Sequence, residues 1–331
     1  MAPIDVGTGP HSGTAGCGDP RVLLTSWAAF RHGEATAGDV LAVSRIDAAL
    51  TAQGVPHDVC WSPGFRPGAL SFDDVDPGRY THVVFICGPV AGRQLEWLHR
   101  RFAHCRRIAV GVSVPDPHDP AVTGFDSVLP RDVTMTAADR PPRVDLAFSA
   151  STAEVPVVAW IRAPGQAEYG KRGRHEEVHE AIEGALRERT CAVLEFDTRL
   201  GPDAQFRDPD QFCSAIRRVD AVVTTRLHGL VLGLRAGVPV VAVDPVCHGA
   251  GSEASGPRCH GAKVTAQARA LHWPALISAE TRQQQGSEFD RWFAWCLSAE
   301  GRAAARAVAA RAPTDQADEL VGEVLRTGAR V

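Results

Sequence analysis

The chain has 331 residues, 44% of them apolar and 22% charged, with a formal net charge of -4. That balance describes a soluble globular protein long enough for two domains, each burying its own core. It gives no electrostatic reason to expect nucleic acid or an anionic membrane as partner, and no run approaches the ~18 apolar residues of a membrane-spanning helix.

The opening MAPIDVGTGPHSGTAGCGDP lacks the basic and apolar regions of a secretory signal, and residues 1–20 read as a flexible Gly-rich leader. A strand–helix alternation follows. RVLLTSW predicts a strand, and GDVLAVSRIDAALTAQG predicts an amphipathic helix stopped by Gly54. PHDVCWS is a second strand, followed by a polar Pro- and Gly-rich loop. THVVFICGP predicts a long buried strand, GRQLEWLHRRFAH a helix, RRIAVGVSV a strand, and FDSVLPRD a short strand and a turn. This order implies a parallel sheet with helices on both faces.

Residues 136–156 break the periodicity and carry prolines, which places the domain junction there. The pattern then restarts. VPVVAWIR predicts a strand, HEEVHEAIEGALRER a helix, CAVLEFDT a strand and DPDQFCSAIRRV a helix. KVTAQARALHW is a further helix, with LIS after it, and the tail from Ser287 reads as helical. The expected organisation is a leader (1–20), two Rossmann-like domains (21–145 and 146–285) and C-terminal helices (286–331). Two parallel-sheet domains facing a cleft make an α/β, GT-B-like architecture. The nine cysteines are an odd number, and Cys60, Cys87 and Cys191 fall inside predicted strands. Reduced thiols, no disulfide and a cytoplasmic location are expected.

The segment VVTTRLHGLVLGLRAGVPVVAVDP (222–245) carries the chemistry. Ala221 to Thr225 is a short β-branched run, read as a buried strand. Leu227, Leu230, Val231 and Leu234 fall at helical spacing, Gly237 stops the helix, and Val238 to Val243 is a second strand. Arg226 and His228 therefore sit on the turn between strand and helix. Ligands of open parallel sheets bind outside the carboxyl ends of the strands. A helix starting there offers unpaired N–H groups and a positive dipole end to an anion.

This segment resembles the signature of the polysaccharide pyruvyltransferase family: a strand, Arg-Leu-His-Gly (here Arg226 to Gly229), an apolar helix and Gly-Val-Pro. Weaker similarity runs from about residue 21 to 277 and includes Gly38-Asp39, Arg131-Asp132 and the strand ending at Arg162. The first-domain loops depart from the family: GEATAGD lacks the usual Asn and Gly, and Cys87-Gly88-Pro89 stands where a Gly-rich turn is usual. The resemblance implies a GT-B-like fold and transfer of pyruvyl from phosphoenolpyruvate to saccharide hydroxyls, usually as a cyclic ketal. It makes Arg226 the donor-binding arginine and His228 the catalytic histidine, with Gly229 beside them, the second domain taking the donor and the first the acceptor.

The partners so implied are a small anionic donor and a saccharide acceptor. Phosphoenolpyruvate is a co-substrate, and no cofactor or metal is expected. Arg162, at a strand end, is placed to grip the donor carboxylate, and Arg131 joins the donor set by its turn position. Asp39, Gly88, and Lys171 and Arg172 in the basic loop Tyr169–His175 are acceptor-side or loop candidates. Cys247-His248 and Cys259-His260 have four soft ligands, but adjacent Cys and His cannot easily face one metal, so a Gly-rich loop is expected. Two rival readings stand. One is a GT-B glycosyltransferase with a nucleotide-sugar donor, for which Glu253 is the obvious ribose-binding acid. The other is a non-catalytic anion-binding relative.

Overall fold

The computed structural model describes residues 20–30, 35–133, 142–165, 173–246, 263–278, 282–311 and 316–326. The expected leader lies outside them, except Pro20. The chain divides into two compact units between Ala153 and Glu154.

The first unit holds β1 (Val22–Thr25), α1 (Ala37–Ala52), β2 (His57–Val59), β3 (His82–Ile86), α2 (Arg93–Arg101), β4 (Arg106–Val114), α3 (Pro120–Thr123) and β5 (Ser127–Val133). Its strands are all parallel, in the order β2-β1-β3-β4-β5. Continuous apolar runs build the middle strands, as expected where helices cover both faces of a sheet. Leu23, Val83, Phe85, Leu95 and Phe102 pack on one face, and Leu24, Val43, Val84 and Ile86 on the other. A capping box sets the start of α1: Thr36 accepts from the Asp39 N–H, and the Asp39 carboxylate accepts from the Thr36 N–H at 3.2 Å.

The second unit holds β6 (Val157–Ile161), α4 (His175–Arg187), β7 (Ala192–Glu195), α5 (Pro209–Ile216), β8 (Ala221–Thr224), α6 (Leu227–Arg235), β9 (Val240–Asp244), α7 (Lys263–Ala270), β10 (Leu276–Ser278), α8 (Arg282–Leu297), α9 (Ala299–Ala309) and α10 (Ala317–Arg326). The order β10-β9-β8-β6-β7 is again wholly parallel. Counted from each unit's own first strand, both sheets run 2-1-3-4-5. In each, the chain reverses direction between its first and third strands, β1/β3 and β6/β8, and ligands of open α/β sheets bind at the carboxyl side of such a switch point.

Three expectations change. Pro130, Arg131 and Asp132 lie within β5, not on a turn; β5 is an edge strand, where a proline removes no ladder bond the sheet needs. The division falls after Ala153, inside the expected junction of residues 136–156 but past the 145/146 bound, because Leu146 packs into the first unit's core and against Gly111. The C-terminal helices do not stand apart: Phe289, Phe293, Cys296 and Ala305 belong to the second unit's core. Ser298, capping α9, breaks what the sequence presents as one long helix.

Candidate functional site

The site grows from the end of β8. Thr224 and Thr225 are buried, and their hydroxyls organise the turn. Thr224 Oγ1 accepts from the Arg226 N–H at 2.9 Å and donates to the Ile161 carbonyl at 2.9 Å. Thr225 Oγ1 accepts from the Ala163 N–H at 2.9 Å and lies 3.1 Å from His179 Nε2. Together they pin the strand ends of β6 and β8 to each other and to α4.

Arg226 is the N-cap of α6 in extended conformation, and its side chain makes no capping bond. The guanidinium is free to point elsewhere. It borders an open cavity of about 390 Å³ at the carboxyl ends of β6, β7 and β8, walled by Arg162, Ala163, His179, Asp197, Arg199 and Arg226, among others. This is the switch point of the second sheet. His228, the second residue of α6, is exposed and makes no side-chain hydrogen bond or ion pair among the described residues, so it does not cap the helix. Gly229 is a close-approach residue: a Cβ there would stand 2.3 Å from Thr224 Oγ1 and 3.3 Å from Ile161 Cγ2. Its contribution is to let the helix start lie on the strand ends, and a side chain there would face the sheet.

The cavity's arginines are paired. Arg162 reaches Glu183 and Glu195, both at 3.1 Å. Arg226 meets Asp197 at a long 3.4 Å, while Arg199 holds the other oxygen of that carboxylate at 2.6 Å. Burial alone would raise the Asp197 carboxyl, but the hydrogen bonds from Arg199 and the nearby Arg226 hold it below the usual carboxylate value. A stretched, single contact with a partner already engaged elsewhere leaves Arg226 the cation most easily transferred to a ligand anion.

Arg131 belongs to the first unit and is engaged there by Asp132, Asp145 and Ser113. This network fastens β5 to β4 and to the segment after it. It shows no free guanidinium for a donor. Asp39 is the capping-box residue of α1, and burial together with the nearby Asp39 carboxylate pushes the Cys87 thiol up to about 11. Gly88, at φ 78, lies under the Trp27 indole, where a Cβ would stand 2.4 Å from Cδ1. Both first-unit candidates therefore have structural work of their own. Lys171, Arg172, Glu253, and the Cys247-His248 and Cys259-His260 pairs lie outside the described residues. Within the described residues no group of three or more His, Cys, Asp or Glu is arranged to hold a metal, the six cysteines are free thiols, and no helix is long and apolar enough to cross a membrane.

Sequence reasoning missed His179, Glu195 and Asp197. The residues right after β7 carried a signal: an acidic residue ending the second strand of a Rossmann-like unit lies where such folds hold a ligand.

The family model described as polysaccharide pyruvyl transferase matches residues 167–245. That segment runs from ahead of α4 through β9 and contains Arg226 and His228, so the family resemblance is borne out over it. No curated protein matches the sequence. Among solved structures, the calicheamicin glycosyltransferase CalG4 is similar at 14% identity, covering 94% of this chain and 99% of its own, with a TM-score of 0.32. The E. coli ADP-heptose lipopolysaccharide heptosyltransferase II is similar at 16% identity, over 84% of this chain and 100% of its own, with a TM-score of 0.27. The Methanocaldococcus jannaschii UDP-GlcNAc 2-epimerase follows at 9% identity, over 93% and 100%, with a TM-score of 0.27.

Proposed function

We propose that the protein is a transferase that moves pyruvyl from phosphoenolpyruvate to two hydroxyls of a saccharide or glycoconjugate, forming a ketal and releasing phosphate. One observation carries the reading: Arg226, unspent on capping and loosely held by Asp197, borders a cavity at the sheet's switch point, inside the segment that the family model matches. Arg226 holds the donor's phosphate or carboxylate, the start of α6 adds its dipole, and Arg162 serves as a second grip once a ligand competes with Glu183 and Glu195.

The reaction needs a proton on the methylene carbon of the enol phosphate, which leaves cationic character at the central carbon. One acceptor hydroxyl adds there and loses its proton. Phosphate departs, and a second hydroxyl closes the ketal and loses its proton; one proton stays in the new methyl group and the other leaves with phosphate. His228, exposed and without a side-chain partner among the described residues, is the imidazole assigned to this proton traffic. The reaction needs no cofactor.

A second reading has its own support. Glu195 ends β7 and Asp197 follows just past it, where Rossmann-like folds place the acid that binds a ribose, which suits a nucleotide-sugar donor. One experiment separates the two. Incubate the full chain with galactose-, mannose- and glucosamine-containing acceptors and either phosphoenolpyruvate or a set of nucleotide sugars, then follow release of phosphate or nucleotide. Acceptor-dependent phosphate release from phosphoenolpyruvate is expected. Nucleotide release with no phosphate release overturns the pyruvyltransferase reading.

A further inference from the structure

We propose that the cavity beside Arg226 takes up its anion together with a proton, and that His179 on α4 holds that proton. The inference rests on the anion-binding reading of this cavity and adds to it a residue that neither the proposed chemistry nor the sequence pattern uses.

His179 is 7% exposed and its ring forms part of the cavity wall. Its ring stands edge-on to Trp160, with centroids 5.8 Å apart, and 6.2 Å from the ring of His175. A buried imidazole in the wall of a polar cavity needs a partner suited to whichever form it takes. That partner is Thr225 Oγ1, 3.1 Å from Nε2. One lone pair of this hydroxyl is filled by the Ala163 N–H. Its own hydrogen and its second lone pair remain. The hydroxyl can therefore donate to a bare Nε2 or accept from a protonated one, and turning one O–H bond is enough to follow the change.

The charges around the ring set the direction. Its own helix contributes His175, Glu176 and Glu183. The end of β6 contributes Arg162, the β8–α6 turn Arg226, and the segment from β7 onward Glu195, Asp197 and Arg199. Burial is the largest influence and pushes the imidazole below its ordinary value; Glu176 opposes this, His175 and Arg162 add to it, and Glu183 opposes. With the cavity free of ligand, the ring is thus held neutral beside cations. A multivalent anion drawn in by Arg226 reverses that field, because an opposite charge within roughly 4–6 Å favours the protonated ring. Since Thr225 is the residue before Arg226, the protonated ring also stays tied to the turn that carries the anion's main contact.

Sulfate is the probe, because it is fully ionised and has no proton of its own to gain near neutral pH. Titrate it into the full chain by calorimetry at pH 7.5 in buffers of different ionisation enthalpy. The unmodified protein should take up a measurable fraction of a proton per sulfate bound, the sign that linkage requires when binding raises the midpoint of the ring. His179→Gln should still bind sulfate and take up close to none. Uptake that survives in the variant, or binding without uptake in the unmodified protein, overturns the proposal and leaves the anion site standing. A chain that binds neither sulfate nor phosphoenolpyruvate overturns the anion site as well. Exchange of the imidazole C2 hydrogen, read for each histidine by mass spectrometry, decides the matter without a variant. The His179 midpoint must rise on adding sulfate, and an unmoved midpoint overturns the proposal.

Discussion

The two units share one strand order and differ at the switch point. In the second unit, Ile161 ends β6 and Arg162-Ala163 follow; Thr224 ends β8 and Thr225-Arg226 follow. A small residue beside an arginine leaves an open, charged cavity. In the first unit, Thr25 ends β1 and Ser26-Trp27 follow; Ile86 ends β3 and Cys87-Gly88 follow. Here the sizes are exchanged. The Trp27 indole lies on Gly88, donates to the Pro89 carbonyl at 3.1 Å and stands edge-on to Phe85. The first crevice is filled by an aromatic ring and the second stays open. Topology supplies the place for a site, and two residues past each strand decide whether it becomes one.

The largest expected effect tests the chemistry of the open crevice. His228→Gln should lower turnover by roughly 100-fold or more, the usual scale for a lost general acid–base, and leave phosphoenolpyruvate affinity nearly unchanged. Arg226→Ala should instead weaken donor binding by about 2 kcal/mol, roughly thirtyfold. Calorimetry and kinetics on the pair check the separation; near-normal turnover in His228→Gln would remove the imidazole from the mechanism.

A second substitution makes the open crevice resemble the filled one. Ala163→Trp puts an indole where Trp27 sits in the first unit, and sulfate affinity should drop by at least about tenfold while far-ultraviolet dichroism is unchanged. Undiminished affinity would mean that the anion does not use this cavity.

The smallest effect separates the units by pH. His57 Nδ1 is 2.7 Å from the Val55 carbonyl and Nε2 is 2.8 Å from Asp47. Burial alone would lower this imidazole, yet the bonds to Val55 and Asp47 leave it raised. The folded first unit then binds the proton more tightly than the unfolded chain does. The stabilisation is complete below the unfolded value of about 6.5 and is lost as pH rises through the raised folded value. Asp47 is half-exposed, so the size is under about 1 kcal/mol. Urea unfolding at pH 6 and pH 8, with His57→Gln as reference, should show the loss in the unmodified chain alone.

The strand–helix order was legible because buried parallel strands write continuous apolar runs, and Gly54 and Gly237 end α1 and α6 with the positive φ of a helix stop. The start of α6 was legible for the same reason, Arg226 and His228 being polar residues between two such runs, although His228 falls inside the first turn of the helix rather than before it. Arg131 was misread because Pro130 looks like a turn until β5 is known to be an edge. His179 could not be found by spacing, since α4 meets Thr225 only through the fold, and Asp197 showed only as an acid just past β7. Arg162 was singled out by its place at a strand end, but its pairing with Glu183 and Glu195 was not legible, since those contacts form only through the fold.

The second unit's core also sets a timetable for synthesis. β6 leaves the ribosome early, but the rings of Phe289 and Phe293 that cover this core come from α8, far later in the chain. At roughly 5–20 residues per second, the nascent sheet waits several seconds with an apolar face uncovered, whereas the first unit's core is complete by Leu146. The segment that carries Arg226 and His228 therefore emerges before the helix whose rings close its core.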